Sequence, residues 1–191
     1  MAGKVLSVAS ECVPLIKTGG LADVVGALPA ALAPLGWQMR TLLPAYRSLM
    51  PHLGTMRAVM ALPDLFGGPA RVMAGQVLGL DMLLLDAPHL YDRAGVPYSN
   101  DKGDFADNAQ RFAALSWVGA RIARAGVAGW KPDVLHAHDW QAGFAPAYMK
   151  YHGSGGAASV ITIHNIAFQG WADAGLLGAL HLPQSAFHAD A

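Results

Sequence analysis

KVLSVASECVPLIKTGGLADVVGALPAAL, residues 4–32, is the stretch that decides the fold. Its first seven residues form a short apolar run that reads as a buried strand. Pro14 and the Gly19-Gly20 pair then break regular structure. From there Leu21, Val24, Val25, Leu28, Leu32 and Leu35 recur at steps of three and four, so they share one face of a helix. Gly36 is well placed as the C′ residue of that helix, and Pro29 kinks or divides it. A strand that passes through a glycine turn into an amphipathic helix is the opening unit of an α/β fold.

The rest of the chain continues the alternation. QMRTLLPAY (38–46) reads as a second strand, while the Pro- and Gly-rich stretch 47–69 gives no clear element. RVMAGQVLG (71–79) and LDMLLLD (80–86) read as two strands joined near Gly79, a hairpin. A long turn-rich loop follows, and such loops are often functional. Phe105 to Ala125 reads as a long helix with Phe112, Leu115, Val118 and Ile122 on one side. DVLHAHDW (133–140) is a strand running into polar residues, Gln141 to Tyr151 a helix, and SVITIHN (159–165) another strand. The tail from Phe168 is weakly patterned, and no internal repeat is visible. The expected class is α/β: a Rossmann-like, mainly parallel sheet with flanking helices.

In such sheets ligands bind beyond the carboxyl ends of the strands. The polar clusters fall there. Glu11 to Gly20 follow the first strand, His89 to Arg93 follow LDMLLLD, His138 to Trp140 close DVLHAHDW, and His164-Asn165 close SVITIHN. Four separated segments are expected to meet at one rim.

Composition narrows the possibilities. The 191 residues are enough for one domain with a sizeable core, and 53% are hydrophobic. The 13 basic and 13 acidic residues balance, without the basic excess expected of a nucleic-acid-binding protein. The single cysteine, Cys12, excludes an internal disulfide and fits a reducing compartment. No targeting segment stands out, and no apolar run approaches the roughly 20 residues of a membrane span. The expectation is a soluble, cytoplasmic protein with no membrane partner.

The opening stretch combines a helix mouth, which carries unpaired N–H groups, with Lys17 and two glycines that let an anion approach the backbone. This suits a phosphate or diphosphate; the alternative is a glycine turn with a solvated lysine. A P-loop is absent because the lysine precedes the glycines, and a dinucleotide fingerprint is absent because the chain has GG rather than GxGxxG. Asp23, in the first helical turn, either favours the helix dipole or points at a ligand hydroxyl. His136 and His138 share one side of a strand, which is acceptable metal-ligand geometry. That arrangement belongs to barrels of about 250 residues, however, and one of the two histidines reads equally as a core residue. Asp139 is the better candidate because it emerges at the rim; Trp140 stacks on a sugar or packs. His164 and Asn165 can both hydrogen-bond a polyhydroxylated ligand. Tyr91 stacks on a ligand or anchors its loop, and Glu11 binds a hydroxyl or caps the loop backbone.

Taken together, SECVPLIKTGGLADVVGALPAAL, LLPAY, DAPHLYDRAGVPYSND, FAALSWVGA, PDVLHAHDWQAG and ITIHNIAFQGW resemble the N-terminal part of the bacterial glycogen synthase and plant starch synthase family. These blocks span nearly the whole chain in the family's order. The resemblance implies a GT-B glycosyltransferase, two Rossmann-like domains facing across a cleft. Such enzymes move glucose from ADP-glucose to the non-reducing end of an α-1,4-glucan, with retention, and need neither metal nor other cofactor. It implies that Lys17, with the turn at Gly19 and Gly20 and the helix end, sits near the donor's phosphates. It further implies that His164, beside Asn165, hydrogen-bonds the glucosyl unit, and that Asp139 lies beside the reacting centre. Tyr91 would line the nucleotide-sugar pocket and Glu11 the acceptor side. The family's Arg/Lys pair and paired glutamates belong to a second domain that these residues do not contain. Residues 1–191 are therefore expected to form a single, incomplete N-terminal catalytic domain that is inactive alone. A non-catalytic glucan-binding module is the alternative.

Overall fold

The computed structural model describes residues 3–187. In chain order it runs β1 (Lys4–Val8), α1 (Leu21–Leu32), β2 (Gln38–Pro44), α2 (Met50–Leu53), β3 (Arg57–Leu62), β4 (Ala70–Val77), β5 (Leu80–Asp86) and α3 (Pro88–Tyr91). The second half holds β6 (Ser99–Asn100), β7 (Gly103–Asp104), α4 (Asn108–Ala125), β8 (Val134–His138), α5 (Asp139–Ala142), α6 (Phe144–His152) and β9 (Ala158–Thr162). Seven strands form one sheet in the order β3-β4-β5-β2-β1-β8-β9, and β6 and β7 form a separate small ribbon.

From β5 to β9 all neighbours are parallel, and β3, β4 and β5 form an antiparallel extension on one side. β1 is central, with Val5 opposite Met39 on one neighbour and Val134 on the other. Its apolar run is what a strand covered on both faces requires. Leu6, Val8, Leu42, Leu83, Leu84 and Leu135 are fully buried. Each such side chain contributes about 1.5–3 kcal/mol relative to exposure. The β4–β5 hairpin turns through Leu78 and Gly79, both with positive φ (49° and 85°), the backbone a tight two-residue connection needs.

α1 runs unbroken past Pro29, ends at Leu32, and passes through a short 3-10 turn to Gly36, whose φ of 79° is left-handed. Its buried face is narrower than the periodicity predicts. Leu21, Ala22 and Val25 are buried, whereas Val24 and Leu35 are exposed, because the helix covers only part of the sheet. Gly26 lets α1 lie directly on the loop after β1: a Cβ there would stand 2.5 Å from the Val13 carbonyl oxygen. Val13 N–H also donates to the Ala22 carbonyl (3.1 Å), so helix and loop form one unit.

Three other boundaries differ from expectation. β8 stops at His138, because the chain turns into α5 at Asp139. β9 stops at Thr162. β3, within the stretch that gave no signal, is a largely exposed outer strand. β9 forms the opposite edge of the sheet. Val160, Ile161, Ile163, Ile166, Phe168 and Trp171 beside it are all exposed, Trp171 by 90%. After Thr162 the tail holds only two short 3-10 turns, Ala174–Leu176 and Gln184–Ala186, and residues 188–191 lie outside the described part. No helix among the described residues is long and apolar enough to cross a membrane.

Candidate functional site

The carboxyl ends of β5, β1, β8 and β9 lie on one edge of the sheet, so the four polar segments share a rim as expected. They form two contact clusters there, one after β1 and one joining β8 to β9.

The first cluster is the loop from Ser10 to Gly20. The Lys17 ammonium group bridges both carboxylate oxygens of Asp23 at 2.7 Å, with both side chains about half exposed. Glu11 is 3% exposed, and its carboxylate is occupied by the loop itself. It accepts hydrogen bonds from the Thr18 N–H, from the Thr18 hydroxyl (2.7 Å), from the Gly19 N–H (3.2 Å) and from the Tyr98 hydroxyl. Of the two sequence readings of Glu11, the geometry is that of the loop cap. Gly19 therefore gives its N–H to the protein. The first turn of α1, by contrast, starts at Gly20 with no side-chain cap, so N–H groups at the helix mouth remain open. Neither Gly19 nor Gly20 has a positive φ, and a Cβ on either would meet nothing within 4 Å. The fold itself does not require glycine at these positions; they leave the helix mouth bare.

The second cluster is built by the HAHD motif and His164. Parallel pairing sets His136 opposite Val160 and His138 opposite Thr162. His136 Nε2 and the Thr162 hydroxyl are 2.7 Å apart, and His138 Nδ1 and His164 Nε2 are 3.0 Å apart. The His136 and His138 rings lie side by side, 4.1 Å between centroids. Burial, and secondarily the neighbouring His136 and His164, push the pKa of His138 down to about 3; burial also lowers that of His136. Both are neutral at pH 7. Asp139 takes a left-handed backbone, φ 56°, and its Oδ1 accepts from the His164 N–H at 2.6 Å. It thus helps to hold the end of β9 to the end of β8, beside the His136–Thr162 and His138–His164 contacts. Among the described residues no three His, Cys, Asp or Glu side chains come together as ligands for one ion. Asn165 is exposed, and its Oδ1 accepts from the Ala167 N–H at 3.0 Å. Trp140 packs edge-on to Phe112, and a Cβ on Gly170 would run into its ring, so the indole is a packing group here.

Tyr91 stands apart from both clusters. It is 1% exposed, packs edge-on to Tyr46, and donates its hydroxyl to the Arg111 carbonyl at 2.6 Å. It anchors its loop, the second of the two sequence readings. With Tyr46, Arg47, Arg93 and Arg111 it borders a cavity of about 280 Å³ beneath the long loop.

Two residues central to this region escaped the sequence reading. Tyr98 joins the long loop to the first cluster through Glu11 and Ser10. Arg111 is 1% exposed and holds the same loop from below. Spacing offered a signal for Arg111, since it stands at i−4 from Leu115 and i−7 from Val118, on the apolar face of its helix. Nothing in the sequence singles out Tyr98 from the other polar residues of its loop.

Known proteins share this architecture. A family model described as the starch synthase catalytic domain matches residues 4–191. A glycogen synthase of Cereibacter sphaeroides is 72% identical over 187 residues, 97% of this chain and 39% of that protein. A glycogen synthase of Acidiphilium cryptum is 55% identical over 188 residues, 98% of this chain and 39% of that protein. The solved catalytic domain of starch synthase IV from Arabidopsis thaliana, bound to ADP and acarbose, matches with a TM-score of 0.76 at 28% identity, covering 97% of this chain and 38% of that one. The chain spans 38–40% of the length of such curated relatives.

Proposed function

Because the chain belongs to the starch synthase catalytic domain family, we propose that it is the N-terminal part of a retaining glucosyltransferase. That enzyme moves glucose from ADP-glucose to the non-reducing end of an α-1,4-glucan, in glycogen synthesis. The observation that carries this reading is a shared edge: the segments bearing Lys17, Asp139 and His164 leave the carboxyl ends of three adjoining parallel strands. In this proposal Lys17 and the uncapped mouth of α1 meet the donor's diphosphate, with Gly19 and Gly20 leaving room for it. His164 and Asn165 hydrogen-bond the glucosyl unit, and Asp139 lies beside the reacting carbon. Glu11 and Tyr91 act at one remove, by shaping the loops.

The magnitudes suit such a role for Lys17. Its pairing with Asp23 is exposed, and pairs of that kind are worth about 0–1 kcal/mol. A charge-assisted hydrogen bond to a phosphate is worth about 1.5–3 kcal/mol. Transfer of the ammonium group from Asp23 to an incoming diphosphate is therefore favourable, and Asp23 serves to hold it at the helix mouth. Lys17→Ala is expected to weaken ADP-glucose binding by about tenfold, since about 1.4 kcal/mol is a factor of ten. Maltooligosaccharide binding should change little. Calorimetric titration of both ligands checks this; a variant that alters neither affinity removes the diphosphate assignment.

In the family, the positive charges that neutralise the leaving diphosphate belong to the second GT-B domain, and such charge stabilisation is commonly the largest single contribution to catalysis. Residues 1–191 are thus proposed to be one incomplete catalytic domain. The exposed apolar residues along β9 and beyond it are in keeping with this, since large exposed apolar patches mark interaction surfaces. The 191 residues by themselves are expected not to elongate a glucan. Incorporation of labelled glucose from ADP-glucose into glycogen by the purified chain would overturn that expectation.

A further inference from the structure

We propose that His138 is a positioning residue that fixes His164 in its Nδ1–H tautomer, making His164 a hydrogen-bond donor at the rim. Two ring nitrogens 3.0 Å apart share one proton: His138 Nδ1 and His164 Nε2. One donates and the other accepts, and the surroundings of His138 decide which.

His138 is 0% exposed, and its Nε2 is buried with no hydrogen-bond partner. Suppose His164 Nε2–H were the donor. His138 Nδ1 would then be the acceptor, and neutral His138 would carry its proton on Nε2. A buried N–H would have no acceptor, which is rare and costly in folded proteins. In the other arrangement His138 Nδ1–H donates and Nε2 is an unused lone pair, the more readily tolerated of the two defects. A doubly protonated His138 is excluded by its burial, which keeps it neutral to about pH 3. His164 Nε2 is therefore the acceptor, and the proton of His164 is on Nδ1.

The two supports of His164 divide the work. Asp139 holds its backbone N–H at 2.6 Å, and His138 holds its ring, the two rings lying 22° from parallel. Fixing one imidazole nitrogen through a partner sets the chemistry of the other, as in metal-bound and catalytic histidines. The free Nδ1–H suits an oxygen acceptor, a hydroxyl or an ether oxygen of a sugar. That last step rests on the function proposed above; the tautomer does not.

The experiment is a two-bond ¹H–¹⁵N correlation spectrum of the histidine rings in the uniformly ¹⁵N-labelled 191-residue chain at neutral pH. His164 is expected to show a protonated, pyrrole-like Nδ1 and an unprotonated, pyridine-like Nε2. In His138→Asn the amide group takes the place of Nδ1–H, and the same pattern is expected to survive. In His138→Phe the donor is lost, and His164 should shift toward the mixture of free imidazole, in which Nε2–H predominates. A native His164 protonated on Nε2 overturns the proposal. So does a folded His138→Phe that keeps the Nδ1–H pattern. If His138→Phe does not fold, the native spectrum decides alone. ADP-glucose titration is a separate arm: failure to bind would remove the functional reading and leave the tautomer assignment standing.

Discussion

Lowering the pH from 7 to 4 is expected to destabilise the domain by about 3 kcal/mol through one side chain, His138. Its pKa falls from the ordinary 6.5 to about 3 in the folded chain, because burial, and then His136 and His164, oppose its charge. In the unfolded chain the same group takes up a proton near pH 6.5. Below that pH the unfolded state binds the extra proton and the folded state does not, so each further unit costs about 1.4 kcal/mol. The contribution is fully present above pH 6.5, is lost as the pH falls, and is exhausted near pH 3. Urea unfolding at pH 7, 6, 5 and 4 measures it. His138→Asn keeps a donor at the Nδ1 position but cannot titrate, so its stability should fall less steeply with acid. Equal slopes for the two proteins would show that His138 contributes nothing to the acid response.

Arg111→Ala is expected to cost about 4 kcal/mol, because two buried carbonyls left without a donor cost about 1–3 kcal/mol each. The guanidinium group is enclosed by aromatic rings, its central carbon 4.8 Å from the centre of Phe105 and 5.4 Å from that of Phe112. It donates to the carbonyls of Leu90 (2.8 Å) and Pro97 (2.9 Å) and to Asn108 Oδ1 (2.6 Å). Truncation strands two buried carbonyls and leaves a void where a long side chain was. Both ends of the long loop, at Leu90 and Pro97, then lose their anchor to α4. Chemical denaturation should show the loss of stability. Limited proteolysis should show new cleavage near Gly95. Arg111→Lys is expected to recover little, because a single ammonium group cannot reach three acceptors spread over a planar fork. An Arg111→Ala protein within 1 kcal/mol of the parent would mean that the loop is held by its other contacts.

Where the chain is buried on both faces, its sequence reads clearly. KVLSV, LDMLLLD of β5 and the α4 stripe of Phe112, Leu115, Val118 and Ile122 are mostly apolar because they pack in the core, and each appears where expected. β3 was invisible for the opposite reason. It is an outer strand with most residues partly exposed, so neither alternation nor an apolar run is imposed on it. On α1 and the 3-10 turn after it, Val24 and Leu35 obey the helical spacing yet face outward, since periodicity records a possible face and not what covers it. At the rim, strand ends correctly located the polar segments. Distant hydrogen-bond partners were not legible: Glu11 caps Thr18 and Gly19 seven and eight residues on, one of its two sequence readings, but its contact with Tyr98 depends on residues 87 positions apart meeting. The inward turn of Tyr91 follows in the same way from its distant partner on α4.

The left-handed backbone of Asp139 changes how any mutational scan of that position must be interpreted. Asp and Asn tolerate such a conformation, and glycine adopts it freely; β-branched residues do so only with strain. A series from alanine to valine would therefore mix loss of the carboxylate with distortion of the turn from β8 into α5. Asparagine alone isolates the charge, and glycine alone isolates the side chain, so only those two replacements separate chemistry from geometry.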